Sequence, residues 1–393
     1  MATRVTPITR ARTVGQAVAA RSANERITVF LLLPVAILLI VGLGALMSAS
    51  SVIGLQTTGD KLFYVKRQLI FMGGGVVAFL IAVRVPYRWY ARLAMPILLL
   101  AIAGLVATLV IGEVRNGARR WIDLGMFSLQ TSEFAKFAVV VFLANAMARK
   151  ERWLGQFAHV FWPVVGSLGV VALLLLRQPD LGTTLIVAAA AFAVLAASRT
   201  PLRHVFTFVA MGVGGIALLA KANPYQWERV SSFMNPEADP LGNGLQAIQS
   251  LVALGTGGVF GVGLGASRAR WFFLPNAHTD FIFSIIGEET GLAGSLIVIA
   301  LLMTFAVVGI AIAMRAPDVF GRLLAVGIVS WLSVQAIINI GGVTRVLPIS
   351  GVPLPFVSSG GSAMLINLAV LGVLANIARS GRSVEANRRA VDQ

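Results

Sequence analysis

Four polar segments interrupt an otherwise apolar sequence, and each carries residue types able to do chemistry. In Leu274-Pro275-Asn276-Ala277-His278-Thr279-Asp280-Phe281-Ile282-Phe283, a carboxylate stands where a long polar stretch runs into apolar residues. At a membrane edge Asp280 would be partly desolvated, which raises its pKa toward that of a useful general base, while a helix N-terminus would oppose the rise. It can equally be the N-cap of the helix that follows. In Gln130-Thr131-Ser132-Glu133-Phe134-Ala135-Lys136, Glu133 and Lys136 lie three residues apart and so share one helical face. They can form a structural ion pair, wall a polar cavity that meets a charged substrate, or do both. In Arg177-Gln178-Pro179-Asp180-Leu181-Gly182-Thr183-Thr184, Pro179 and Gly182 make a turn, and Asp180 can cap the next helix or face a substrate. In residues 348–362 the run Ser358-Ser359-Gly360-Gly361-Ser362 offers hydroxyls and free N–H groups at a helix start. That arrangement suits an anion such as phosphate, or simply a shaped loop with a cap.

The elements that must hold these residues follow from composition. The chain has 393 residues, of which 57% are hydrophobic and 12% charged. A soluble globular domain carries about 25% charged residues, so that class is excluded. There are no cysteines, which removes disulfides and thiolate metal sites. His159, His204 and His278 are far apart, which argues against a histidine metal site. The 32 Lys+Arg against 16 Asp+Glu leave a net charge of +16, which fits either nucleic acid or a membrane until the charges are placed.

Ten apolar segments, at roughly 27–49, 67–84, 91–112, 132–147, 160–176, 181–198, 204–220, 281–314, 321–344 and 358–379, are long enough to read as spans. The expectation is an all-α, polytopic integral membrane protein with ten transmembrane helices, both termini cytoplasmic and one large extracytoplasmic loop. Residues 1–26 form a basic arm rather than a cleavable signal, 27–380 the membrane domain, and 381–393 a cytoplasmic tail. With this topology nineteen of the 32 basic residues fall on short inner loops and tails, and Lys136 falls inside a span. The positive charge is thus explained by orientation and anionic lipid, and no nucleic acid is needed. The outer loop 221–280 is the longest between spans. Its glycine-rich part, 245–265, suggests ordered backbone that returns toward the bilayer, tolerated only if protein or a water-filled cavity covers it. Glu288 lies about 12 Å along a helix from Asp280, which suits pairing within the bundle better than shared work on one substrate atom.

In order and spacing the chain resembles the SEDS family (shape, elongation, division and sporulation), the polytopic cell-wall polymerases of the FtsW and RodA type. The resemblance spans about residues 27–380. It rests on Gly117-Ala118-Arg119-Arg120-Trp121-Ile122-Asp123, Gln130 to Lys136, Gln178 to Thr183, Phe233-Met234-Asn235-Pro236 with Asp239-Pro240, Gln249-Ser250, His278 to Phe283, Glu288-Glu289, and Leu347-Pro348 through Gly361-Ser362. Two positions depart from the family pattern: Ser359, where Tyr is common, and Arg119, where Gln is common. The resemblance implies an inverting glycosyltransferase that polymerises lipid II into peptidoglycan on the outer face of the bacterial cytoplasmic membrane. Asp280 would be the general base. Arg120, Lys136 and Arg229 would neutralise the leaving polyprenyl pyrophosphate, with Glu133 holding Lys136. Asp180, Ser358 and Ser362 complete the candidate substrate-binding set. A class B penicillin-binding protein and other division or elongation proteins are the implied partners, and a divalent cation can serve the family. The basic N-terminal arm favours the division type, at the septum, whereas Pro353-Leu354-Pro355-Phe356-Val357 looks closer to the elongation type. Two rival functions use the same residues: a lipid II flippase, which should show inverted-repeat halves, and a scaffold, which should tolerate loss of Asp280.

Overall fold

The computed structural model describes residues 7–115, 118–123, 125, 128–222, 233–234, 244–268 and 277–391. Helices stand at all ten positions where the apolar pattern places a span. They are α1 (Pro7–Thr58), α2 (Phe63–Arg84), the short α3 (Arg88–Arg92), α4 (Ala94–Ile111), α5 (Thr131–Arg149), and α6 (Phe157–Val164), which passes through a π-helical turn at Val165–Gly169 into α7 (Val170–Arg177). Then come α8 (Leu181–Ala197), α9 (Leu202–Ala222), α10 (Leu245–Gly257) within the long loop, α11 (Ile282–Met314), α12 (Val319–Val343) and α13 (Gly361–Val391). Among the described residues eight helices are long and apolar enough to cross a membrane, with Phe157–Arg177 counted as one. The other two expected positions hold α8, apolar but 17 residues long, and α9. The chain is an integral membrane protein.

A helix apolar on every side belongs in the interior. Helix α5 meets that description apart from its polar first turn and the mutually paired Glu133 and Lys136: it is buried from Thr131 to Met147 on nearly all faces and packed against α4, α8 and α12. Around this centre small residues allow close approach, as is usual where lipid gives no hydrophobic drive to helix association. Between α2 and α13, a Cβ on Gly372 would lie 2.6 Å from the carbonyl oxygen of Phe79. At the ends of these helices Asn376 accepts from the Tyr87 N–H and donates to the Val83 carbonyl, while the Tyr87 hydroxyl donates to Asp318 at 2.6 Å. Asp318 also caps α12 through the Gly321 N–H, so one carboxylate joins the start of α12 to that of α3.

One feature of the architecture was not expected from the helical reading. Three short strands form a small antiparallel sheet in the order β1 (Glu113–Arg115), β2 (Ala118–Asp123), β3 (Ser128–Leu129). Strand alternation sets neighbouring arginines apart: Arg120 is buried, whereas Arg119 is exposed and donates to the Leu109 carbonyl.

The glycine-rich stretch after α10 is ordered, and its cover is α11. At Gly291 (φ 68°, ψ −164°) α11 breaks, which frees backbone groups on both sides. The stretch 258–263 fills the gap. Leu292 and Ala293 donate to the carbonyls of Gly258 and Val259, at 2.9 and 3.1 Å, and Val262 and Gly263 donate to those of Glu288 and Glu289, at 3.0 and 3.1 Å. The side chain of Glu288 accepts from the Ser267 hydroxyl and the Arg268 N–H, and that of Glu289 accepts from Ser48 on α1. Gly291→Ala would impose a side chain at positive φ and drive its Cβ into the Val259 carbonyl. We expect it to destabilise the chain by more than about 1 kcal/mol. Thermal unfolding in detergent reads this directly, and an unchanged midpoint would refute the threaded break.

Candidate active site

A pocket of about 350 Å³ opens at the end of the bundle where the sheet, the 277–280 turn and the segment 351–363 meet. Helix α2 lends one stripe to it, Tyr64, Arg67, Gln68 and Phe71, at the i, i+3, i+4, i+7 spacing of a single face. Strand β2 lends Arg120 and Trp121. The turn lends His278, Thr279 and Asp280, and the last wall runs from Gly351 and Pro353 to Ser359–Ala363.

Asp280 is half-buried in this wall. It does not occupy the N-cap of α11; that position belongs to Phe281. Beside it, His278 lies against the Tyr64 ring at 4.9 Å, and its Nδ1 is enclosed without a hydrogen-bond partner. Burial pushes the His278 imidazole below the ordinary histidine range, so it is neutral at pH 7 and charges only in more acidic solution. The His278 carbonyl accepts from the Ser359 N–H at 3.2 Å, which pins the turn to the opposite wall.

The positive side of the pocket has three sources. Arg67, half-buried, donates to the Ser128 hydroxyl at 3.3 Å. Arg120 donates to the Gln178 carbonyl at 3.3 Å and also to the Pro179 carbonyl, so it is clamped onto the turn before α8. The N-terminus of α13 opens into the cavity at Gly360–Ala363, where backbone N–H groups and the helix dipole favour an anion. The Ser362 hydroxyl accepts from the Gln130 N–H at 3.1 Å and donates to the Ser128 carbonyl at 3.2 Å, which joins this helix end to β3.

The structure therefore brings together Asp280, Arg120 and Ser362. Other residues singled out in the sequence lie elsewhere. Glu133 and Lys136 form an ion pair at 2.8 Å in the bundle interior, with side-chain exposures of 1% and 0%, and neither lines the pocket. Lys136 also donates to Gln335 at 2.8 Å and sits 4.9 Å from the centre of the Trp331 ring. Asp180 caps α8 through the Thr183 N–H at 3.2 Å and adds its field to that of Glu133 around Lys136. Ser358 is buried in its own loop, accepting from the Leu354 N–H at 2.8 Å; its neighbour Ser359 is the one that faces the pocket. Arg229 lies outside the described residues. Arg67 and Gln68 were missed by the sequence reading, and the signal for them was the polar stripe at helical spacing on an otherwise apolar helix. Among the described residues no three His, Asp or Glu side chains converge.

A family model described as cell cycle protein, FtsW/RodA/SpoVE, matches residues 29–383. Stage V sporulation protein E of Bacillus subtilis is 39% identical over 348 residues, which covers 88% of this chain and 95% of that protein. The probable peptidoglycan glycosyltransferase FtsW of Geobacter metallireducens is 38% identical over 355 residues, 90% of this chain and 95% of that one. Its counterpart in Trichlorobacter lovleyi is 40% identical over 349 residues, 88% and 92%. Among solved structures, a chain of a peptidoglycan synthase complex that couples polymerization and crosslinking matches with a TM-score of 0.69 at 29% identity, over 89% of this chain and 97% of that chain. The rod shape determining protein RodA of Thermus thermophilus matches with a TM-score of 0.63 at 28% identity, over 89% and 95%.

Proposed function

Because the chain belongs to the FtsW/RodA/SpoVE family of cell cycle proteins, we propose that it is a peptidoglycan glycosyltransferase of the FtsW type, which polymerises lipid II and releases polyprenyl pyrophosphate. The observation that carries this reading is the placement of Asp280 in one pocket with Arg67, Arg120 and the N-terminus of α13. Asp280 takes the proton from the acceptor sugar's 4-hydroxyl as that oxygen attacks C1 of the donor; the C1–O bond to pyrophosphate breaks and the configuration inverts. Charge builds on the leaving pyrophosphate, and the two guanidinium groups and the helix end stand ready to meet it without reorganising. Lys136, sealed in its ion pair, is not part of that cation set.

The pocket faces the outer side of the cytoplasmic membrane, with both termini inside. The working unit includes a class B penicillin-binding protein that crosslinks the strands, at the division septum. Similarity to proteins named FtsW and SpoVE at 38–40% identity supports the division type. The test is to supply labelled lipid II to the purified chain with its crosslinking partner. Glycan polymer is the expected product. Movement of lipid II across vesicles with no polymer would replace this reading with the flippase.

The two pocket arginines differ from their neighbour in a way the assay can read. Arg67→Ala should lower kcat/KM by about 10- to 100-fold, the scale of one charge-assisted hydrogen bond. Arg119→Ala, on the opposite face of β2, should stay near wild type. Equal effects from the two would remove Arg67 from the site.

A further inference from the structure

Helix α12 carries two amide side chains four residues apart on one face, Gln335 and Asn339, with 0% and 4% exposure. A buried amide is unfavourable unless hydrogen bonds compensate it. The Asn339 Nδ2 donates to the carbonyl of Asp280 at 2.8 Å and to the carbonyl of Val352 at 2.8 Å. Two carbonyl acceptors fix the orientation of the amide, because only its NH₂ end can face both. Its Oδ1 is buried without a partner. A leucine would fill this place without an orphan oxygen, so what the amide supplies is its pair of donors.

Those donors act on the pocket from behind. Val352 lies between Gly351 and Pro353, which line the wall facing Asp280. One turn earlier Gln335 donates to the Pro353 carbonyl at 2.8 Å, while its own oxygen accepts from Lys136 and from the Trp331 indole at 3.0 Å. Two consecutive carbonyls of the wall are thus held by α12, and one of the two holders also grips the backbone of the carboxylate.

We propose that Asn339 is the positioning residue for Asp280, fixing the turn that bears the carboxylate against the 351–353 wall at the separation the reaction needs. The proposal rests on the reading of Asp280 as general base. Its consequence is specific: loss of the clamp should slow the chemical step while substrate binding, which draws on the arginines and α13, is kept.

The test uses the full chain with its crosslinking partner and labelled lipid II, and compares Asn339→Asp, Asn339→Leu and Asp280→Asn. Asn339→Asp keeps the shape but turns acceptor oxygens toward two carbonyls; Asn339→Leu removes the donors and keeps the packing. Both should lose roughly 100-fold in kcat, the scale set by a misplacement of about 1 Å, with KM changed by less than about twofold. Asn339→Leu should still fold, at a somewhat lower unfolding temperature than wild type, because two carbonyls lose their donor while one orphan oxygen is removed. Should Asn339→Asp not fold, Asn339→Leu decides alone. Wild-type kcat in Asn339→Leu, or failure of both variants to fold, would overturn the proposal and leave Asn339 a structural residue. Wild-type turnover in Asp280→Asn would instead remove the premise, and that result comes from a separate variant.

Discussion

Asp280→Asn should yield a folded, membrane-inserted chain that polymerises lipid II at least about 10²- to 10⁴-fold more slowly than wild type. The substitution is nearly isosteric and removes the carboxylate that can accept the acceptor's proton. The side chain sits at the wall of an open pocket, and Phe281, not Asp280, holds the cap position of α11, so little stability is at stake. Asp280→Glu should recover part of the rate, since the base returns but one methylene out of place. A scaffold would tolerate either change, and a flippase would keep moving lipid II with Asn at 280. Polymer at the wild-type rate from Asp280→Asn would sink the assignment of the base.

The spans and the position of Asp280 were legible in the sequence because both follow from local physics. Apolar runs set the helices, and a carboxylate at the end of a long loop is conspicuous against them. The small sheet was not legible, since its strands are short and its cover is another part of the chain. Nor was the role of Lys136. Spacing alone paired it correctly with Glu133, yet nothing local says whether a buried pair faces a cavity or the bundle. Only the placement of Trp331 and Gln335 on α12, about 200 residues away, puts it in the interior. Asn339 was invisible for the same reason. Its two partners, Asp280 and Val352, are 59 and 13 residues distant, and an amide in an apolar helix has many structural uses. The break at Gly291 shows the limit from the other side: glycines marked the loop that fills it, but the helical run 282–314 gave no sign of interruption.

Lys136→Met should destabilise the chain by about 3–5 kcal/mol, the cost of leaving one partner of a buried ion pair uncompensated. Glu133 would keep its charge with 1% exposure, and Asp180, whose Oδ2 already lacks a hydrogen-bond partner, would lose the field of the same cation. Pairing the change with Glu133→Gln removes the stranded carboxylate and should return most of the lost stability, because the pair replaced as a unit is close to neutral. Activity then separates two roles. Since Lys136 does not line the pocket, its route to the reaction is Gln335, which passes from the ion pair to the Pro353 carbonyl. In the double variant Gln335 retains Trp331 and Pro353 as partners, so polymerisation should recover with stability. Thermal unfolding and lipid II turnover on the same preparations read both quantities. Stability restored without turnover would instead make Lys136 a direct contact of the pyrophosphate. The pocket would then have to open inward past Gln335 during the reaction.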